Sequence, residues 1–95
     1  MPAACRLNDV CTGHGCYGSR PNDQGSPNVF INSRAAHRQS DHWTTHCCVI
    51  PCHDGSLAAG SSTVYTNSLQ QGRIGDPVDC GSSVSSGSPN VFVGG

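Results

Sequence analysis

Apolar residues in this chain do not recur at helical spacing; they come in short bursts after a Gly-Ser step, and the burst occurs three times. Gly25-Ser26-Pro27-Asn28-Val29-Phe30-Ile31-Asn32 returns as Gly60-Ser61-Ser62-Thr63-Val64-Tyr65-Thr66-Asn67 and again as Gly87-Ser88-Pro89-Asn90-Val91-Phe92-Val93-Gly94. Each copy reads as a turn followed by β-branched and aromatic residues, which suit a short strand on a half-buried pleated surface. Side chains alternate along a strand, so Val29 and Ile31 face one way and Phe30 the other. The same split sets Val64 and Thr66 against Tyr65, and Val91 and Val93 against Phe92. The pattern predicts an equivalent aromatic set, Phe30, Tyr65 and Phe92, buried between the strands.

A second pattern precedes each strand. Arg6-Leu7-Asn8-Asp9, Arg38-Gln39-Ser40-Asp41 and Arg73-Ile74-Gly75-Asp76 share the spacing Arg-x-x-Asp, and each leads through a loop of its own length to a Gly-Ser strand. The bland role for these pairs is structural, an Arg paired with its own Asp. The unit is therefore Arg-x-x-Asp, loop, strand and linker, three times over. One such unit cannot bury its own apolar face, so the copies must pack on one another. Closure into a ring is favoured by the ends: Pro2-Ala3-Ala4-Cys5-Arg6 looks like the second half of a linker, and the third strand stops where that linker would begin.

Composition narrows the picture. The 95 residues make one small domain, spanning 1–95. With 12 Gly, 6 Pro and neither Glu nor Lys, little or no helix is expected, and the fold class is all-β. A formal net charge of −1 gives no electrostatic footprint for nucleic acid. No run is long and apolar enough for a membrane span, and Met1-Pro2 opens no signal-peptide core. A chain this poor in large apolar residues needs staples, and its seven Cys and five His are the supply.

Those soft ligands lie in the loops. His14 stands five residues after Asp9, His46 five after Asp41, and Cys80 four after Asp76. A closed threefold arrangement brings these to one point, and the longest loop carries a further ligand, His53. His14, His46, His53 and Cys80 then form a tetrahedral N and S set for one structural metal, zinc first and iron as the alternative. A rival is the local cluster Cys48, Cys52, His42 and His46. The other cysteines are buried small side chains, or form local disulfides such as Cys11 with Cys16 in an oxidising compartment. His37 and His42 read as surface or hydrogen-bonded structural histidines, and Trp43 as a packing residue.

The chain resembles the proline-alanine-alanine-arginine (PAAR) repeat family. The motifs are Pro2-Ala3-Ala4-Cys5-Arg6, Ala35-Ala36-His37-Arg38, Arg73-Ile74-Gly75-Asp76-Pro77-Val78 and the three Gly-Ser strands, which together span essentially the whole chain. Departures are Cys5 within the opening motif, Gln70-Gln71 in place of Ala-Ala, and Asn8 and Ser40 where a Gly precedes Asp. The resemblance implies a small cone of three pseudo-threefold β repeats with a metal-stapled vertex, held by three His and one Cys. It implies that the base caps the trimeric β-helical spike of a contractile injection machine, a phage tail or a type VI secretion apparatus, one copy per trimer. The tip would be made in the cytoplasm, meet the target membrane transiently, and carry no effector extension and no catalysis.

Two other functions compete with this one. A small metal-dependent hydrolase needs an open metal position, which a fourth protein ligand closes, and the chain has no Glu to act as general base. A disulfide-rich secreted binding domain would account for the cysteines alone, but their number is odd and His phased with Cys80 would go unexplained.

Overall fold

The computed structural model describes residues 1–49 and 51–95; Ile50, in loop two, lies outside them. Six short strands form three antiparallel hairpins. These pair β1 (Phe30–Ile31) with β2 (Arg34–Ala35), β3 (His42–Cys47) with β4 (Cys52–Ser56), and β5 (Tyr65–Thr66) with β6 (Leu69–Gln70). No helix occurs among the described residues, and the all-β expectation holds.

The hairpins β1–β2 and β5–β6 are copies. Their two-residue turns, Asn32-Ser33 (φ 54° and 65°) and Asn67-Ser68 (φ 53° and 66°), are left-handed at both positions. That turn matches the right-handed twist of the flanking strands, and Asn tolerates it best after Gly. The third copy has no hairpin of its own. Phe92 bridges Ala3 instead, and Val93 N–H donates to the Pro2 carbonyl at 2.8 Å, so the opening segment supplies the missing strand. The ring closes where the sequence placed the closure.

Threefold repetition extends to individual bonds. The amides of Ala4, Ala36 and Gln71 donate to the carbonyls of Val91, Val29 and Val64 at 2.9, 2.9 and 3.0 Å. The carbonyls of Ala4, Ala36 and Gln71 in turn accept from the amides of Ser88, Ser26 and Ser61. Each of these buried serines folds its Oγ back to accept two amides, such as Asn28 and Val29 on Ser26, which is what the Gly-Ser step is for. The preceding glycine admits no side chain: a Cβ at Gly87 would stand 2.7 Å from the Ala4 carbonyl oxygen. At the axis Cys5, His37 and Gly72 close a cyclic set of amide-to-carbonyl bonds, Cys5 to Gly72, Gly72 to His37 and His37 to Cys5.

The Arg-x-x-Asp pairs are structural, as expected. In each, the Asp carboxylate accepts from the backbone N–H of its Arg and from the guanidinium through two nitrogens, all between 2.7 and 3.1 Å. Residues Asn8, Ser40 and Gly75, one before the Asp, share a left-handed φ of 70°, 76° and 92°. The same arginines reach the hairpins, Arg6 to Asn32 and Arg38 to Asn67. The Arg–Asp rung therefore has hairpins on one side and loops on the other. Beyond it lies a small core of Cys5, Cys11, Trp43, Leu57, Val78 and Val84, with Trp43 fully buried. Gln71 replaces the Ala of its equivalents without loss, because its Nε2 donates to the carbonyls of Cys5, His37 and Gly72 and its Oε1 accepts from Thr66.

The aromatic set is a correction. Phe30, Tyr65 and Phe92 share one environment, but it is solvent: they are 61%, 57% and 52% exposed. Val29, Val64 and Val91 stand beside them at 38%, 38% and 37%, while Thr66 and Val93 turn inward. The reason is steric. The axis at this level is already filled by main chain, Ala4, Ala36 and Gln71, and the close Gly-Ser turns leave no volume for three rings.

Candidate metal centre

The loops that leave the rung, with the β3–β4 hairpin of loop two among them, converge at the end away from β1–β2 and β5–β6. His46 lies on β3 directly opposite His53 on β4, past a β-bulge between Trp43 and His46 that re-aims the strand. His14 enters from loop one, on a tight turn in which His14 and Tyr17 exchange both backbone hydrogen bonds. Cys80 comes from loop three and packs against the apolar core. One ligand atom from each of His14, His46, His53 and Cys80 lies within 4.8 Å of the others. Phasing by the repeat thus selects four residues that the fold brings together.

The ring nitrogens of this cluster crowd one another. His14 Nε2 stands 3.0 Å and His46 Nε2 2.6 Å from His53 Nε2. His46 Nδ1 lies 2.8 Å from the Gly18 carbonyl, which can only accept, so its proton sits on Nδ1 and its Nε2 presents a lone pair. A single proton on His53 Nε2 can serve one neighbour and leaves the other contact lone pair against lone pair. Burial, with His46 and His14 close by, holds the His53 imidazole below its usual pKa, which favours the bare nitrogen. Three imidazole nitrogens and one sulfur are the donor set of a closed zinc or iron site, and the residues fit such an ion.

The residues around the four carry information that spacing did not. Arg20 is 5% exposed and, among the described residues, has no carboxylate within 4.0 Å. Its guanidinium donates instead to Cys80 Sγ at 3.3 Å and Cys11 Sγ at 3.1 Å, and Nε donates to the Thr44 carbonyl. Cys80 and Cys11 thus lie against a buried guanidinium that has no carboxylate partner among the described residues. Burial alone would push Cys11 up, but hydrogen bonds involving Arg20 and Ser82 bring it below its usual value. Tyr17 lays its ring beside all three imidazoles, with centroids 4.8, 4.9 and 4.2 Å from His14, His46 and His53. Arg20 stands in a fourth Arg-x-x-Asp frame, Arg20-Pro21-Asn22-Asp23, that belongs to loop one and not to the threefold set, and Tyr17 carried no signal.

The rival quartet does not assemble. Cys48 and Cys52 are in disulfides, and His42 is held between Asp23 at 2.6 Å and Asp54 at 2.9 Å. Nor do Cys11 and Cys16 pair: the disulfides are Cys16–Cys48 and Cys47–Cys52, while Cys5, Cys11 and Cys80 are free. Cys11 is drawn into the core under Arg20, whereas Cys16 sits on the exposed turn facing β3. His37 is fully buried, with Nδ1 against the Gln24 carbonyl.

A closed ring of three β units whose loops meet in a His and Cys cluster defines a repeat class of all-β fold with a candidate metal site. The model of the PAAR motif matches residues 22–86, and the chain belongs to the PAAR motif family. Over 78 residues it is 36% identical to the NAD(P)(+) glycohydrolase toxin Tse6 of Pseudomonas aeruginosa strain PAO1. It is equally similar to the (p)ppApp synthetase toxin Tas1 of Pseudomonas aeruginosa strain UCBPP-PA14. Each alignment takes in 76% of this chain but 18% of the relative, so the chain spans under a fifth of the toxins it matches.

Proposed function

We propose that this protein is the metal-stabilised tip of a type VI secretion spike, capping a trimeric β-helical spike protein with one copy per trimer. The observation that carries this reading is the exposed Val-aromatic pair, presented three times in nearly equal exposure at the hairpin end of a single chain. A trimeric β-helix ends in three open strand edges, which associate indiscriminately unless covered. A monomer with three equivalent apolar strand pairs, two hairpins and the pairing of Phe92 and Val93 with Ala3 and Pro2, can meet three identical edges at once. The same end leaves the metal cluster pointing away from the spike, toward the target membrane. Export through the secretion machine rather than by a signal peptide follows from that place.

In this reading one ion is held by His14, His46, His53 and Cys80, zinc or iron, and supplies a crosslink between three loops rather than catalysis. The chain's own residues prepare it: the Gly18 carbonyl fixes the His46 tautomer, Arg20 donates to Cys80 Sγ and holds it in place, and Tyr17 covers the imidazoles. With four protein ligands no position remains for an activated water, which speaks against the hydrolase. The two toxins named above carry catalytic activities in their names, and the match takes in 18% of each.

Two measurements test this. Native mass spectrometry of the protein mixed with the C-terminal β-helix of its spike should give one copy per trimer. Phe30→Asp, Tyr65→Asp and Phe92→Asp together should abolish the complex while leaving the melting temperature nearly unchanged. Three copies per trimer would sink the pseudo-threefold match. Elemental analysis should find one metal per chain in the wild type, close to none in Cys80→Ser, and one at saturation in Cys48→Ser.

A further inference from the structure

Four cysteines outside the proposed ligand set crowd around it in a regular way. Cys16 lies two residues after His14 and Cys48 two after His46; Cys47 directly follows His46 and Cys52 directly precedes His53. The disulfides join those flanking positions pairwise. Cys16–Cys48 therefore ties the turn carrying His14 to the strand carrying His46, across 32 residues of sequence. Cys47–Cys52 ties the strands carrying His46 and His53 at the next rung of the same hairpin. All three imidazoles sit within two residues of a crosslink.

On either side of the His14 turn loop one is anchored, Thr12 to Ser83 on loop three and Arg20 and Pro21 to Thr44 on β3. Between those anchors the turn is bonded to itself, through His14 and Tyr17, and reaches β3 by the Gly18 carbonyl on His46. The hairpin register is irregular between Trp43 and His46. Cys16, Cys47 and Cys52 are exposed, so a soluble thiol or disulfide can reach both crosslinks. Cys5, Cys11 and Cys80 remain thiols, and Cys5 and Cys11 are fully buried, which keeps them out of exchange.

We propose that these two disulfides are a redox clamp on the metal centre: thiols in a reducing medium, they form on passage into an oxidising one and then fix the imidazoles for tighter metal binding. Each closes by exchange with a small disulfide or a disulfide-donating protein. The thiolate of one cysteine attacks the oxidant's sulfur to give a mixed disulfide, and the second cysteine displaces it. Two thiols thus lose two electrons and two protons, and one oxidant disulfide becomes two thiols. Both crosslinks consume two oxidant disulfides. The metal gains because the His14 turn and the β3–β4 hairpin are already ordered when it binds, so less conformational entropy is lost on binding. Linkage makes the effect reciprocal: whatever factor oxidation adds to metal affinity, bound metal adds to the resistance of the disulfides to reduction. The clamp presupposes the metal site proposed above, and experiment separates the two.

Zinc affinity is measured by competition with a chromogenic chelator. The samples are the full chain oxidised with oxidised glutathione in the presence of zinc, the same protein reduced with a phosphine, and the oxidised double variants Cys16→Ser/Cys48→Ser and Cys47→Ser/Cys52→Ser. Reduction should weaken zinc binding by about tenfold or more, and each double variant should lose part of that factor. Reciprocally, saturating zinc should shift the midpoint for disulfide reduction by about 30 mV per tenfold to more reducing potentials. Alkylation and peptide mapping of the oxidised chain should return Cys16–Cys48 and Cys47–Cys52. Equal zinc affinity in oxidised and reduced protein, or a map with other pairs, would overturn the clamp and leave the metal site standing. No zinc bound in either state would overturn both.

Discussion

His37 shows how much a single side chain carries in so small a core. It is fully buried on the axis, its Nδ1 hydrogen partner is the Gln24 carbonyl, and its Nε2 has no protein partner among the described residues. Its ring stands edge-on to Trp43, with centroids 5.2 Å apart. Burial pulls its pKa below the usual value, outweighing the pull of Asp41. A histidine that resists protonation only when folded costs stability as pH falls: the loss begins near the unfolded value of about 6.5 and continues down to the depressed folded one. With zinc saturating, the urea midpoint should therefore drop between pH 7 and pH 5. His37→Asn, which can keep the donor to Gln24, should flatten that drop although its midpoint at pH 7 is lower. An unchanged slope in the variant would assign the acid sensitivity elsewhere.

The elements were legible in proportion to how local their causes are. Gly-Ser turns, the Arg-x-x-Asp pairs and the strand positions all follow from residue chemistry within a few positions, and each recurs three times. Which face of the strand is buried was not legible, because it depends on what fills the axis from the other two copies. The disulfide partners were hidden for the same reason: Cys48 meets Cys16 only because loop one folds over β3. The convergence of His14, His46, His53 and Cys80 could be read because repeat phase reports distance in a closed ring even when sequence separation does not. At the rung itself the copies differ in one testable way. Ser40 holds φ 76° where its equivalent is Gly75 at 92°, and an L side chain pays of order 1 kcal/mol there. Ser40 is exposed and only its amide is engaged, by donation to Leu57. Ser40→Gly should therefore raise the melting temperature by a few degrees, read by differential scanning calorimetry; a lower value would mean the strain is relieved in place.

At the scale of the whole molecule, the three copies have no independent existence. The cyclic bonds among Cys5, His37 and Gly72 each join two different thirds of the chain, and the core beyond them draws on all three loops. The arrangement also makes the polypeptide's starting point a matter of convention. Pro2 and Ala3 lie against Val93 and Phe92 as Arg34 and Ala35 lie against Ile31 and Phe30. If Met1 is removed and Gly95 is joined to Pro2, Gly94-Gly95 falls where Asn32-Ser33 and Asn67-Ser68 make their left-handed turns, and Gly-Gly suits that turn. A circular permutant so joined and opened between Asn67 and Ser68 should fold, bind one zinc and melt within a few degrees of the parent. In topological terms residues 2–95 trace a ring with a single break, and the two Asn-Ser turns are the equivalent places to which that break could be moved.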